Sequence, residues 1–376
     1  MQRRAYLTTV GGAAAALAGC LDAGRESGGG GASGDDGASD GDGPRDATRS
    51  ATAESVVEDL EVPWGMAFRD ETLYLTERPG RVVRVGDGGS AVGADLTDST
   101  AARGEGGLLG LAFHPDDPDV AFTYQTTDAG GESTNRVLRH DPTDDWSFET
   151  VLDGIPAGQI HDGGRLLVRP EEDALYATAG DAGDAETAQD PSTLAGSVLR
   201  LTLDGDPHPD NPGGSAVFSY GHRNPQGLAV RDGVLYATEH GPDTDDEVNR
   251  LVAGENYGWP AVTGESDDEA YVDPLVSYTP TIAPGGAAFY PDDGPVEAWR
   301  GDLLFGTLVG EHLHRVRIRD GAVEADERLF EGGFGRLRTT LVGPDGHLYA
   351  ATSNRDGRGD PRAGDDRVLR LRPDAG

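Results

Sequence analysis

From about Ser55 onward, short runs of alternating aliphatic and polar residues recur, separated by polar, glycine-rich segments. Leu73-Tyr74-Leu75-Thr76 leads through Pro79-Gly80 to Arg81-Val82-Val83-Arg84-Val85, and the same unit then returns. Later copies join Val120–Tyr124 to Arg136–Arg139, Ala174–Thr178 to Ser197–Leu201, and Val234–Thr238 to Glu247–Leu251. Two more join Leu303–Phe305 to His314–Ile318 and Leu348–Thr352 to Arg367–Leu371. A period of two is that of a β-strand, and no three-turn helical stripe stands out in this part of the chain. Six copies roughly 45 to 70 residues apart have the spacing of propeller blades with variable insertions. The expected fold is all-β: a six-bladed β-propeller of four-stranded antiparallel blades over residues 55–376. Aliphatic side chains are expected between blades, with the alternating arginines toward solvent or loops. The segment Val56 to Phe68 is expected to supply the strand that completes the last blade, so that closure removes exposed edges.

The N-terminal part changes the picture. Arg3-Arg4 precede an apolar stretch, roughly Val10 to Ala18, too short to span a bilayer. Leu17-Ala18-Gly19-Cys20 looks like a lipobox, and the paired arginines resemble a Tat export signal. Residues 1–20 are therefore expected to direct export, with lipid attached at Cys20 and the protein held at the extracellular face of the cell membrane. Residues 21–54, rich in Gly, Ser, Ala and Asp, read as a disordered tether. Cys20 is the single cysteine, which excludes an internal disulfide and a cysteine metal site.

Charge narrows the partners. The net charge is −36, from 67 Asp and Glu against 31 arginines with no lysine. Self-repulsion of this size is relieved by concentrated salt, so a halophilic source is expected. Phosphate is repelled by such a surface, so no nucleic-acid partner is expected.

The densest polar chemistry lies in Tyr220 to Pro260, YGHRNPQGLAVRDGVLYATEHGPDTDDEVNRLVAGENYGWP. Leu228 to Val230 and Val234 to Thr238 are strand-like runs hinged at Asp232-Gly233, a strong hairpin signal. His222-Arg223-Asn224-Pro225-Gln226 precede the hairpin; Gly241-Pro242, Asp243, Asp245, Asp246 and Glu247 follow it. A cationic, amide-rich turn beside an acidic one can hold an anionic planar ligand next to a hard cation. The same residues also read as two polar loops on an acidic surface. Further clusters are Gly104–Gly110 with Glu105, His161–Leu166, Gly180–Asp184, and Arg336-Leu337-Arg338, and propeller loops bring such segments to one end of a central channel.

HxGGRL, YGHRNPQGLA, EHGPDTDDEVN and NYGWP, in this order and with GEGGLLGLAFHPD before them, resemble the soluble glucose/sorbosone dehydrogenases that use pyrroloquinoline quinone (PQQ). The likeness runs from about Val62 to Leu371. It implies oxidation of an aldose at its anomeric carbon, with hydride passing to PQQ and the hydroxyl proton to a histidine, here His161. A neutral imidazole suits a general base at neutral pH, and Asp181 would orient it. The resemblance gives Arg223 and Asn224 to the quinone, with Gln226 and Glu105 as further contacts, and Arg336 and Arg338 to its carboxylates. It gives the carbonyls of Gly241 and Pro242 to a Ca²⁺ that polarises the quinone, and Glu247, Tyr257 and Asp267 to a second, structural Ca²⁺.

The chain also departs from that pattern. Glu105 stands where the best-known glucose enzymes have glutamine. Val309 stands where they have a lysine, so one cofactor contact is missing or replaced. Tyr278-Thr279-Pro280-Thr281 lacks a tryptophan expected of them, which points to a broad aldose dehydrogenase rather than a dedicated glucose enzyme. Two other readings stay open: a calcium-dependent lactonase recruiting Glu105, Asn224 and Asp181, and a non-catalytic ligand-binding propeller.

Overall fold

The computed structural model describes residues 51–86, 89–128 and 130–374. The expected export signal and lipobox and nearly all of the expected tether lie outside these residues. The first strand, β1 (Ala51–Val57), is followed by five blades in strict chain order. Blade 1 holds β2 (Pro63–Arg69), β3 (Thr72–Glu77), β4 (Arg81–Gly86) and β5 (Gly89–Asp95); blade 2 holds β6 (Leu108–Phe113), β7 (Ala121–Thr127), β8 (Thr134–Asp141) and β9 (Ser147–Pro156). Blade 3 holds β10 (Leu166–Arg169), β11 (Ala174–Ala179), β12 (Ser197–Thr202) and β13 (Val217–Tyr220); blade 4 holds β14 (Pro225–Arg231), β15 (Val234–Glu239), β16 (Asp246–Leu251) and β17 (Val276–Tyr278). Blade 5 holds β18 (Pro284–Phe289), β19 (Leu303–Thr307), β20 (Leu313–Arg319) and β21 (Ala322–Leu329). The sixth blade joins β22 (Leu337–Val342), β23 (Leu348–Thr352) and β24 (Val368–Pro373) to β1.

All pairs are antiparallel, and the recurring sequence unit is the second and third strand of each blade. The Asp232-Gly233 hinge joins β14 to β15 with positive φ at both residues, the conformation of a tight hairpin.

Closure differs from the expectation in detail. Ala51 pairs with Pro373 and Val57 with Val368, so the strand that completes the last blade starts ahead of Ser55 and ends at Val57. The rest of the Val56–Phe68 segment turns through Asp59 and Val62, both at positive φ, and becomes β2, the inner strand of blade 1. The β1 sequence ATAESVV buries only its two end residues, which is why it blends into the tether by composition.

Apolar side chains pack between blades in six clusters, one per interface, including blade 6 against blade 1 through Val57, Leu75, Val83, Tyr349 and Val368. The expectation that blade arginines face outward fails at β20. There Arg315 is 4 % exposed and pairs with Asp302, which is fully buried and also binds Arg317 and Arg319.

In an antiparallel blade, the connection entering the inner strand and the one from second to third strand leave at the same end. The loops 96–107, 157–165, 221–224 and 330–336 (entering β6, β10, β14 and β22) therefore meet the loops 180–196, 240–245, 308–312 and 353–367 at one mouth of the channel.

Blade 2 also carries a buried histidine that ties stability to pH. His140 Nδ1 donates to the Trp146 carbonyl at 3.2 Å, leaving Nε2 to accept from the Thr123 hydroxyl at 2.8 Å. Burial holds its pKa down to about 4, below the 6.5 of an unfolded histidine. The unfolded chain thus takes up the proton first, so this stabilisation is present above pH 6.5 and is lost as pH falls toward 4. Denaturant unfolding is expected to show a loss on the order of 2 kcal/mol by pH 5 from this residue, as a steeper pH slope than in His140→Gln. Equal slopes would contradict it.

Candidate active site at the channel mouth

His161 sits in the loop entering β10 at φ +63°, a left-handed conformation rare for a residue with a side chain. The loop presses against the end of β11, where a Cβ on Gly180 would lie 1.9 Å from the His161 carbonyl. Only glycine permits that approach. His161 Nδ1 lies 2.7 Å from Asp181 Oδ1. The same carboxylate accepts the Gly183 amide at 2.7 Å and the Trp259 indole at 2.8 Å. Burial alone would raise the Asp181 carboxyl, but these donors outweigh it and hold it below its usual range. An ionised Asp181 requires the proton on Nδ1, so the neutral ring has its lone pair on Nε2. Nε2 has no hydrogen-bond partner among the described residues, and His161 lines a cleft of about 240 Å³.

Trp259 arrives by a longer route. The loop 252–275 leaves blade 4 at the far end and folds back, with the Tyr257 amide donating to Tyr220 and the Trp259 amide to Gly221, each at 2.9 Å.

Glu105 reaches the same point from the loop entering β6. Its Oε2 accepts the His161 amide at 3.0 Å, and its Oε1 accepts from Arg358 at 2.8 Å. Burial opposes ionisation, yet these donors hold the carboxyl down to about 2. Asn224 Oδ1 accepts the Gly163 amide at 3.1 Å, and Gln226 Oε1 accepts from Arg338 at 2.6 Å. Arg338 on β22 and Arg336 just ahead of it both reach Asp356 Oδ2, at 3.8 and 2.9 Å. Arg336 is fully engaged, since its third nitrogen donates to the Leu308 carbonyl. Arg338 is not: its buried Nε has no acceptor, and neither has Arg223 Nε. Burial pulls Arg338 down to about 10, leaving it charged at neutral pH.

Arg223 Nη1 donates to the Gly241 carbonyl at 2.6 Å and to the His240 carbonyl at 3.2 Å, and its guanidinium lies 5.3 Å from the centre of the Trp259 ring. Pro242 and Asp243 line the same cleft. The Gly241 carbonyl thus already faces a positive charge. Its turn is anchored by Asp246, which accepts the Gly241 amide at 2.9 Å with Oδ1. Asp246 Oδ2 takes the Thr281 hydroxyl and the Ile282 and Ala283 amides, at 2.6 to 2.8 Å.

The second group of oxygen ligands is only partly assembled. Glu247 and Tyr257 line a small pocket with Glu239 and Asp245, and burial beside Glu239 pushes Glu247 up to about 8. The Tyr257 hydroxyl is spent on the Arg250 carbonyl and the Val252 amide. Asp267 is exposed on the 252–275 loop, makes no hydrogen bond or ion pair among the described residues, and does not line that pocket. Among the described residues, no three His, Cys, Asp or Glu side chains gather at metal-binding spacing.

The structure adds residues that the motifs did not single out. Trp64 lies under the Arg165 guanidinium at 4.2 Å and near Arg338. His240 donates Nε2–H to the Pro284 carbonyl, and burial holds it neutral, down to about 3. Trp64 and His240 stand within VPWGM and EHGP, so a motif reading could have reached them. Arg358 carries no such signal. His222, at the head of the cationic turn, is fully buried between Ser219 and Glu239 and stacks on Tyr257, so it is part of the packing.

Comparison with known proteins fits this geometry. Residues 60–362 match the family model for glucose/sorbosone dehydrogenases. An oxidoreductase of Thermus thermophilus, provisionally assigned as a glucose dehydrogenase, is 44% identical with a TM-score of 0.79, over 85% of this chain and 99% of its own. The PQQ-bound aldose sugar dehydrogenase of Streptomyces coelicolor is 36% identical with a TM-score of 0.78, over 87% of this chain and 99% of its own. An aldose sugar dehydrogenase of Escherichia coli is 31% identical over 345 residues, 83% of this chain and 92% of its own. With a family match that spans most of the six-bladed propeller, the chain belongs to the glucose/sorbosone dehydrogenase family.

Proposed function

We propose that this protein oxidises aldose sugars at the anomeric carbon to lactones, with PQQ as hydride acceptor and Ca²⁺ beside it. The observation that carries the reading is the His161–Asp181 pair beside a cleft lined also by Arg223, whose buried Nε has no acceptor, with Arg338, whose buried Nε has none either, lining the adjoining pocket. Donors without acceptors in a buried setting favour an anionic, acceptor-rich ligand. Arg223, Arg338, Asn224 and Gln226 would hold the quinone, and Arg336, tied to Asp356, would keep Arg338 in place. The carbonyls of Gly241 and Pro242 would face Ca²⁺, which would draw its remaining ligands from the cofactor and water. When bound, the quinone supplies a two-electron acceptor for the hydride of the anomeric C–H bond.

The protein's own part is proton chemistry. His161 Nε2 takes the proton of the anomeric hydroxyl as the C–H electron pair leaves, and the C–O bond becomes the lactone carbonyl. Asp181 holds the ring in the competent tautomer and stabilises the imidazolium that forms. The Trp259 indole and Gly183 amide fix Asp181 in turn. Arg223, charged in both redox states, offsets negative charge developing at the acceptor.

A lactonase would need Asp181, Glu105 and Asn224 free to bind one metal. Asp181 is engaged by His161, Gly183 and Trp259, and Glu105 by Arg358 and the His161 amide, so both carboxylates are already committed to protein donors. The expected result is that protein loaded with PQQ and Ca²⁺ reduces an artificial electron acceptor when an aldose is added. Chelation of the cation removes the activity, and added Ca²⁺ returns it. Lactone hydrolysis without quinone, and no dye reduction with it, would overturn the reading.

A further inference from the structure

We propose that Arg358 is the cation that meets an anionic group of the cofactor at the cleft mouth, in place of the lysine that this lysine-free chain lacks at position 309. The inference rests on the cleft being the quinone site.

Arg358 lies in the loop 353–367 of blade 6. That loop is held to the channel by Asp356, whose Oδ2 binds Arg336 and whose Oδ1 accepts the Arg358 amide at 2.9 Å. The backbone of Arg358 is therefore fixed to the carboxylate that organises the arginine pair. Its side chain crosses the mouth to Glu105, on the opposite side of the ring closure, and lines both the cleft and the deeper pocket beside it. Among the described residues only one nitrogen is used: Nη1 donates to Glu105 Oε1, while Nε and Nη2 have no partner there, and the side chain is 57 % exposed.

Charge makes the role specific. Glu105 is ionised beside the space an anionic ligand would enter, and it cannot move away without releasing the His161 amide. A second anion there requires a neighbouring cation. Val309 lines the cleft, exposed and apolar, and supplies none. Arg78 lines the deeper pocket but donates to the Gly104 carbonyl and does not reach the cleft. Arg358 alone among these groups combines a fixed backbone, free donors and a position on the cleft wall. It neutralises Glu105 with one nitrogen and keeps the others for the ligand.

The test is an equilibrium absorbance titration of the purified full chain with PQQ at fixed salt and Ca²⁺, which needs no turnover. Arg358→Gln is expected to weaken binding about tenfold, the size of one charge-assisted hydrogen bond. Arg358→Lys should keep most of the affinity, and Val309→Lys placed in Arg358→Gln should restore much of it. Arg372→Gln on β24 changes net charge equally and sits outside the cleft; its affinity should stay within about twofold, as expected of an exposed charge. Wild-type affinity in Arg358→Gln, or an equal loss in Arg372→Gln, overturns the inference while leaving the quinone reading intact. No saturable binding by the unmutated protein overturns both.

Discussion

Replacing His161 with glutamine is expected to lower kcat for aldose oxidation by about 10³-fold, within the range set by removing a general base. Quinone affinity should change only a fewfold, because the contacts proposed for the cofactor are those of Arg223, Asn224, Gln226, Arg338 and Arg358 rather than His161. Glutamine retains a polar group on the wall of the cleft but has no lone pair that accepts a proton at neutral pH. Asp181→Asn is a sharper companion. An amide in that position stops specifying which ring nitrogen carries the proton, so kcat should fall about 10²-fold with the imidazole still present. The measurement is steady-state dye reduction on protein whose quinone content has been fixed by absorbance. Equal turnover by His161→Gln and wild type would remove His161 from the chemistry.

Asp246→Ala is expected to cost about 3 to 5 kcal/mol of stability. Asp246 is fully buried and accepts from three backbone amides and one hydroxyl. Truncation leaves those buried donors without partners, at about 1 to 3 kcal/mol each before relaxation or water entry. The same change loosens the Gly241-Pro242 turn, so cation affinity should drop along with the unfolding midpoint. Asp246→Asn keeps the shape and one accepting oxygen, and should lose less than half as much. Denaturant unfolding decides it: a loss below 1 kcal/mol for Asp246→Ala would show that the turn is held by something else.

Asp246 also marks how far the sequence can be read. In the run Asp243, Asp245, Asp246, Glu247, four carboxylates look alike as candidates for a cation. In the fold they part company: Asp243 lines the cleft, Asp245 accepts from threonines, Asp246 is a structural anchor and Glu247 is buried near Glu239. Strand alternation places a side chain on one face or the other but does not state what lies across the interface. The blades were legible because the period-two unit repeats six times and each copy buries the same kind of residue. β1 was not, because ATAESVV buries only Ala51 and Val57 and follows a low-complexity stretch.

The site shows the same division. His161, Asp181, Arg223, Asn224 and Arg338 stand in short motifs with distinctive neighbours, and the channel mouth gathers them. The Trp259 bond to Asp181 spans 78 residues and the Arg358 bond to Glu105 spans 253. Such contacts exist only because closure of the ring brings blade 6 beside blade 1 and the long loop of blade 4 beside blade 3. No local pattern encodes them. Asp267 shows the converse: the family resemblance groups it with Glu247 and Tyr257, but it does not line their pocket.

In the proposed reaction, sugar reduces a quinone held in this cleft. That step is tested most directly by adding an aldose, without external electron acceptor, to the full chain loaded with PQQ and Ca²⁺ in molar salt. The expected result is loss or shift of the oxidised cofactor's absorption band, stoichiometric with bound quinone, in wild type and far slower in His161→Gln. An unchanged band in wild-type protein that demonstrably holds the quinone would contradict it.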